Sequence, residues 1–310
     1  MNIGNVVLDF SMYEPEKDIY SDGSIEEEML DIARGCKIQE ALSSDDRWAI
    51  AYHFSPVRQN ILSWYPFPSE ASVLEIGSGL GAVTGVFLDR NLRVHCVESS
   101  RRRATIAAYR HAARCPFTIT VGDIMRLDVH ASYDYITLIG VLEYAPMFLP
   151  EVPHPFHAFL MHVRRYLKPG GTLFLAIENR LGAKYFAGAA EDHTSRRFEG
   201  ITGYPHTTQA ATFSRSELQT LLYAAGYGSL EWHYPYPDYK MPMQVFSDEH
   251  LPQASDLRGE IVSYDVARPM IFDERAFVQT VAGGEEFRIL SNSFLVLCRK
   301  EQMPDESANH

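Results

Sequence analysis

From residue 72 onward the chain alternates short apolar runs with amphipathic stretches, a rhythm that predicts parallel strands linked by helices. Residues 72–76, 93–97, 118–121, 135–139 and 172–177 read as buried strands, and residues 82–89, 101–113 and 156–167 carry helical spacing between them. The helix over 156–167 is closed by the turn KPGG at 168–171. Another helix starts at Ser214, with Glu217 placed for a capping box, and stops at Gly226. Residues 230–234 and 293–298 supply a sixth and a last strand, the last returning antiparallel beside the sixth. The expected fold is therefore α/β: a doubly wound, seven-stranded, mostly parallel sheet with helices on both faces.

Two stretches break the rhythm. Residues 180–212 and 236–290 are long excursions that leave the carboxyl ends of strands, the edge where open α/β sheets bind ligands, and are expected to form a substrate lid. Residues 1–70 read as an N-terminal helical cap. Its residues 25–33 form one helix, and a second over 43–64 is divided at Pro56. The main domain spans 71–300, and the polar residues 301–310 read as a flexible tail.

Composition narrows the function. A chain of 310 residues with 46% hydrophobic residues buries a full core, which excludes a disordered chain. The formal charge of -12 repels a phosphate backbone, so nucleic acid is not an expected partner and a small acceptor is. The apolar stretch 73–88 is interrupted by Glu75 and glycines, so no bilayer span is expected, and a secretory leader is not recognisable; the reading is a cytoplasmic protein. Cys36, Cys96, Cys115 and Cys298 have no paired spacing, so buried free thiols are expected. The oligomeric state is open, with a homodimer compatible with the sequence.

The chemistry concentrates at strand ends. The loop EIGSGLG at 75–81 follows the first strand of the main domain; its glycines permit positive φ and close approach of a ligand to the backbone. Gly77-x-Gly79-x-x-Ala82 also satisfies a dinucleotide fingerprint, so an NAD(P)-dependent oxidoreductase must be weighed. Glu75, however, stands where a carboxylate crowds a pyrophosphate and suits an ammonium. Glu98 ends the second of these strands, where ribose hydroxyls donate to an acid, and Asp123 ends the third, positioned for an adenine amino group with Ile124 beside the ring.

The ordered set VLEIGSGLG (73–81), Val97 with Glu98, Gly122 with Asp123, YDYITLIG (133–140) and LKPGG (167–171) resembles the motifs of class I S-adenosylmethionine-dependent methyltransferases, a Rossmann-like fold. The resemblance covers residues 72–179. It implies that Glu75, Gly77, Ser78, Gly79 and Gly81 surround the methionine end, Glu98 with Ser99 the ribose, and Asp123 with Ile124 the adenine. Gly140, Leu142 and Glu143 would line the sulfonium side, and Tyr52, with Arg58, would close over the cofactor. A looser likeness, in residues 177–194 and 234–242, is similar to methyltransferase domains associated with bacterial surface-polysaccharide glycosyltransferases, which implies a saccharide acceptor.

For catalysis the sequence nominates Glu178 at the tip of the fifth strand and the pair Asp192-His193, read as a carboxylate-oriented imidazole titrating near neutral pH. Asp238, Tyr239 and Lys240 read first as a proline-rich turn, and Arg101, Arg102 and Arg103 as a solvated helix face. His154 and His157 lack a third ligand, so no metal site is expected. The reading is methyl transfer to a hydroxyl or carboxylate of a small molecule or saccharide, against an oxidoreductase or a non-catalytic scaffold of the same fold.

Overall fold

The computed structural model describes residues 1–18, 21–207, 209–257 and 268–301. Near the N-terminus two strands pair as a hairpin, β1 (Asn2–Ile3) and β2 (Val6–Met12). Three helices follow: α1 (Ile25–Arg34), α2 (Ile38–Ser44) and α3 (Trp48–Phe54), the last ending where Pro56 opens a 3-10 turn over Pro56–Ile61. The alternating region runs β3 (Ser72–Ile76), α4 (Thr84–Leu88), β4 (Arg93–Glu98), α5 (Arg101–His111), β5 (Phe117–Gly122), β6 (Tyr133–Ile139), α6 (Ala145–Phe148), α7 (Pro155–Tyr166) and β7 (Leu167–Glu178). The chain closes with α8 (Ala183–Phe186), α9 (Arg215–Ala224), β8 (Tyr227–Tyr236), β9 (Gln244–Ser247), α10 (Glu274–Thr280), α11 (Glu285–Leu290) and β10 (Ser293–Lys300).

The strands form one sheet in the order β1-β2-β5-β4-β3-β6-β7-β10-β8-β9. Pairs from β2 through β7 are parallel, and β10 lies antiparallel between β7 and β8. Sequence reasoning expected seven strands; the sheet has ten among the described residues. The three additions are the hairpin β1–β2 at one end of the sheet and β9 at the other. Residues 1–70 are accordingly not wholly a helical cap: Val6 and Leu8 are buried while Val7 is exposed, and this alternation drives β2 onto β5 in parallel. At the other edge β9, half-buried throughout, pairs with β8 inside the second excursion.

Central strands are buried on both faces, as in β3, where all five residues are covered. One apolar cluster joins α7 and α9 to the sheet through Phe159, Val163, Leu218 and Leu222; another packs Val86, Phe87, Ala104 and Ala108 on the opposite face. A third seats the N-terminal helices on α5 through Met29, Ile50, Phe54 and Ile106. Arg103, expected in a solvated face, is buried and donates to Glu26 at 2.8 Å and Asp22 at 2.6 Å, so it ties the segment at α1 to α5. The capping box is present: Ser214 accepts from the Glu217 N–H while Glu217 accepts from the Ser214 N–H. None of the described helices is long and apolar enough to cross a membrane. Residues 302–310 of the expected tail and 258–267 of the second excursion lie outside the described residues.

Candidate functional site

The parallel strands β3 to β7 all end at one cavity of about 880 Å3. Its walls include Glu75 through Gly79, Glu98 and Ser99, Asp123, Gly140 and Glu143, and Glu178, each at or just past a strand tip. Tyr52 and Arg58 enter from the N-terminal helical region, residues 188–193 from the first excursion, and Tyr239 and Lys240 from the second. Three nominated residues are not on the wall. Gly81 has φ +73 and its carbonyl accepts from His111; a Cβ there would stand 2.8 Å from the His111 Nε2, so this glycine serves the packing of α5. Ile124 and Leu142 are buried in the apolar core, which their aliphatic side chains join more favourably than a polar cavity.

Gly79 is different. Its φ is +55, and a Cβ added there would meet nothing within 4 Å, so the backbone borders open space. Glu98 braces this loop: one oxygen accepts from the Gly79 N–H at 2.7 Å, the other from the Ser100 N–H at 2.9 Å. Asp123 caps the following turn by accepting from the Met125 N–H at 2.9 Å. Two buried polar atoms here have no hydrogen-bond partner, Ser78 Oγ and Arg58 Nε. The Arg58 guanidinium lies 4.0 Å over the Tyr52 ring, which itself stacks on Trp48. Beneath the loop Glu75 accepts from the Thr84 hydroxyl at 2.6 Å. Burial pushes its carboxyl up to about 7, against the hydrogen bonds from Thr84 and Cys96.

The far end of the cavity is crowded with charge. Glu143 is 1% exposed and Glu178 fully buried. The His193 Nε2 lies 3.5 Å from a Glu143 oxygen, and its Nδ1 lies 2.8 Å from Glu191. Burial opposes a charge on this imidazole, but Glu143, Glu191 and Glu178 outweigh it and hold the group well above the usual histidine range. The same burial, with Glu178 adding to it, raises Glu143. The expectation of a His193 titrating near neutrality is thus corrected, and so is its partner. Asp192 does not orient His193; it pairs with Lys184 at 2.9 Å and with Lys240, and accepts from the Tyr185 hydroxyl. Adjacent side chains in a tight loop diverge, so Glu191, two residues before His193, is the one that reaches it.

Lys240 also stands 2.8 Å from Glu178 in an ion pair whose angles do not meet those of a hydrogen bond. Residues 238–240 are therefore more than a turn. Tyr239 is buried against Gly140, where a Cβ would come within 2.8 Å of its hydroxyl. Lys184 and Glu191 were not nominated by sequence reasoning, and the run AKYF around Lys184 has no polar periodicity to mark it. Neighbours of Glu178 turn elsewhere: Asn179 donates to the carbonyls of Ile289 and Ser291, and Arg180 pairs with Glu217 at 2.7 Å.

Residues 74–173 match a family model described as a methyltransferase domain. No curated protein sequence matches the chain. Among solved structures, phosphoethanolamine N-methyltransferase 1 of Haemonchus contortus, in complex with phosphoethanolamine and S-adenosylhomocysteine, is similar with a TM-score of 0.52 at 14% identity, covering 93% of this chain and 53% of that one. An S-adenosylmethionine-dependent methyltransferase of Thermotoga maritima, a possible histamine N-methyltransferase, gives a TM-score of 0.46 at 18% identity, over 85% of this chain and 98% of that one. Another from Archaeoglobus fulgidus gives 0.48 at 13% identity, over 80% and 96%.

Proposed function

We propose that this S-adenosylmethionine-dependent methyltransferase acts on a hydroxyl of a small polar acceptor, a saccharide among them, seated against Glu143, Glu178 and His193. The observation that carries the reading is the buried acidic cluster sharing one cavity with the glycine loop. Buried carboxylates disfavour a carboxylate acceptor through like-charge repulsion, whereas a hydroxyl can donate to one of them. The dinucleotide alternative loses ground to the methyltransferase-domain match and to Glu75, whose carboxyl lies under the loop where a diphosphate would sit.

The residues present suit the cofactor. Open space at Gly79 admits it against the backbone, and the unpartnered Ser78 Oγ and Arg58 Nε offer a hydrogen-bonding group and a charge to its methionine end. Glu98 would hold the ribose and Asp123 the adenine, each carboxylate keeping lone pairs beyond those its backbone N–H bonds use. When bound, S-adenosylmethionine supplies a methyl group already activated on a sulfonium. The protein's share is to orient the acceptor, keep water out and take up a proton. Glu178 takes that proton at Oε2, Lys240 being paired at Oε1. His193 is a positioning residue that fixes Glu143 and Glu191.

Transfer from tritium-methyl cofactor should label sugars, nucleotide sugars or hydroxy acids, and Glu178→Gln should lower kcat by about a hundredfold while leaving the Kd for S-adenosylhomocysteine unchanged. Label appearing only on a nitrogen or on a carboxylate oxygen would refute a hydroxyl acceptor, and full activity in the variant would remove Glu178 from proton transfer.

Glu75 gives the binding step a pH dependence. Its carboxyl, raised to about 7, is neutral below that pH and ionised above it, and only the ionised form attracts a cationic ligand. Affinity for S-adenosylmethionine is expected to be constant above about 7 and to fall up to tenfold per unit below it. Titration calorimetry from pH 5.5 to 8 reads this, on the order of tens of fold in total; a flat profile would separate Glu75 from the cofactor.

A further inference from the structure

We infer that Glu143, Glu178 and His193 form a divalent-cation site at the acceptor end of the cavity. Each offers one ligand atom, and these atoms all lie within 4.8 Å of one another. Neighbouring ligands of an ion held at about 2.1 to 2.3 Å stand about 3.0 to 3.3 Å apart, so the longest separation here would shorten by at most about 1.8 Å on binding. Glu143 is 1% exposed, and its Oε2 has no hydrogen-bond partner, a costly state for a buried carboxylate oxygen that a cation relieves.

The surroundings argue the same way. Glu191 lies 2.8 Å from His193 Nδ1, so the imidazole is oriented by a carboxylate behind it and presents Nε2 toward Glu143. That carboxylate–imidazole arrangement is how proteins orient metal-ligating histidines. The 3.5 Å gap between Nε2 and Glu143 is long for a hydrogen bond, and a bound cation takes the place of the Nε2 proton. Charge balance leaves room for a cation: Lys184 and Lys240 pair with Glu178, Asp192 and Asp238, while Glu143 and Glu191 share one imidazole. Two carboxylates with one imidazole, and the remaining positions open to the cavity, suit Mn2+ or another first-row divalent ion more than Mg2+, which prefers an all-oxygen shell.

Two open positions on one ion would take two adjacent acceptor oxygens, as in a vicinal diol or an α-hydroxy acid. A hydroxyl bound there is more acidic: its O–H bond breaks with the electron pair left on oxygen, and the proton passes to Glu178 Oε2, Oε1 being the oxygen shared by the ion and Lys240. This role rests on the proposed transfer to a hydroxyl; the cation site does not.

The test is Mn2+ binding to the full chain by electron paramagnetic resonance, with calorimetry of S-adenosylhomocysteine on the same samples. One Mn2+ per chain is expected, with affinity lowered at least tenfold in Glu143→Gln and in His193→Gln. The second variant covers failure of the first to fold, which thermal melts detect. No stoichiometric Mn2+, or affinity unchanged in both variants, overturns the site. S-adenosylhomocysteine bound without Mn2+ would defeat the cation alone, whereas Mn2+ bound without S-adenosylhomocysteine would uphold the site and defeat the transferase reading.

Discussion

A chain carrying Gly79→Arg is expected to bind S-adenosylmethionine at least a hundredfold more weakly than the natural protein while keeping its fold. The difference between space and strain at this position decides the outcome. A Cβ at residue 79 meets no atom within 4 Å, so nothing in the protein is displaced by the first carbon of the side chain. The cost to folding is the left-handed backbone, φ +55, about 1–2 kcal/mol for a residue with a Cβ. Gly79 lines the 880 Å3 cavity, so the rest of the arginine occupies the approach to the loop. Losing a hundredfold in affinity corresponds to about 2.7 kcal/mol. Calorimetry with S-adenosylhomocysteine checks the affinity and circular dichroism the fold. Retained affinity in a folded variant would put the cofactor elsewhere.

The strands from β3 to β7 could be read from the sequence because burial on both faces leaves continuous apolar runs such as LFLAI at 173–177, which no helical period explains. Their tips were legible for the same reason: the first polar residue after such a run, as at Glu98, Asp123 and Glu178, marks the last position of the strand or the one just past it. What escaped had no such contrast. β2 mixes Asp9 and Ser11 with Val6 and Leu8, and it is held by pairing with β5, over a hundred residues away, which local pattern does not reveal. β9 is four residues long and half-buried. At the acceptor end, sequence adjacency misled: Asp192 and His193 are neighbours in the chain, yet the tight loop sends one to the lysines and the other to Glu191. Ile124 and Leu142 show a related limit, since a motif marks the stretch that borders a cavity without saying which side chains turn into it.

Asp192→Ala should therefore act first on stability. Lys184 is 3% exposed and its charge depends on neighbours: burial opposes it, and Asp192 is the strongest attraction that restores it. The nearer of its carboxylates is Asp192 at 2.9 Å, with Asp238 at 3.7 Å. Removing Asp192 takes the nearest carboxylate from a buried ammonium and leaves Asp238 at 3.7 Å with Glu178 beyond ion-pair distance, a change that costs about 3 kcal/mol. Lys240, 17% exposed, loses less, because it keeps Glu178 at 2.8 Å. Asp192→Asn retains hydrogen-bonding groups beside Tyr185 and the lysines but not the charge, and belongs between the natural protein and the alanine variant. Urea denaturation measures all three. The same proteins separate structure from chemistry: with kcat expressed per folded molecule, a base at Asp192 predicts a loss of the order of a hundredfold or more in both variants. An anchor for Lys184 predicts activity that follows the folded fraction. Equal stability in the three proteins would dismiss the anchoring role, and the ion pairs around Lys184 would then be bystanders to a lysine held by packing alone.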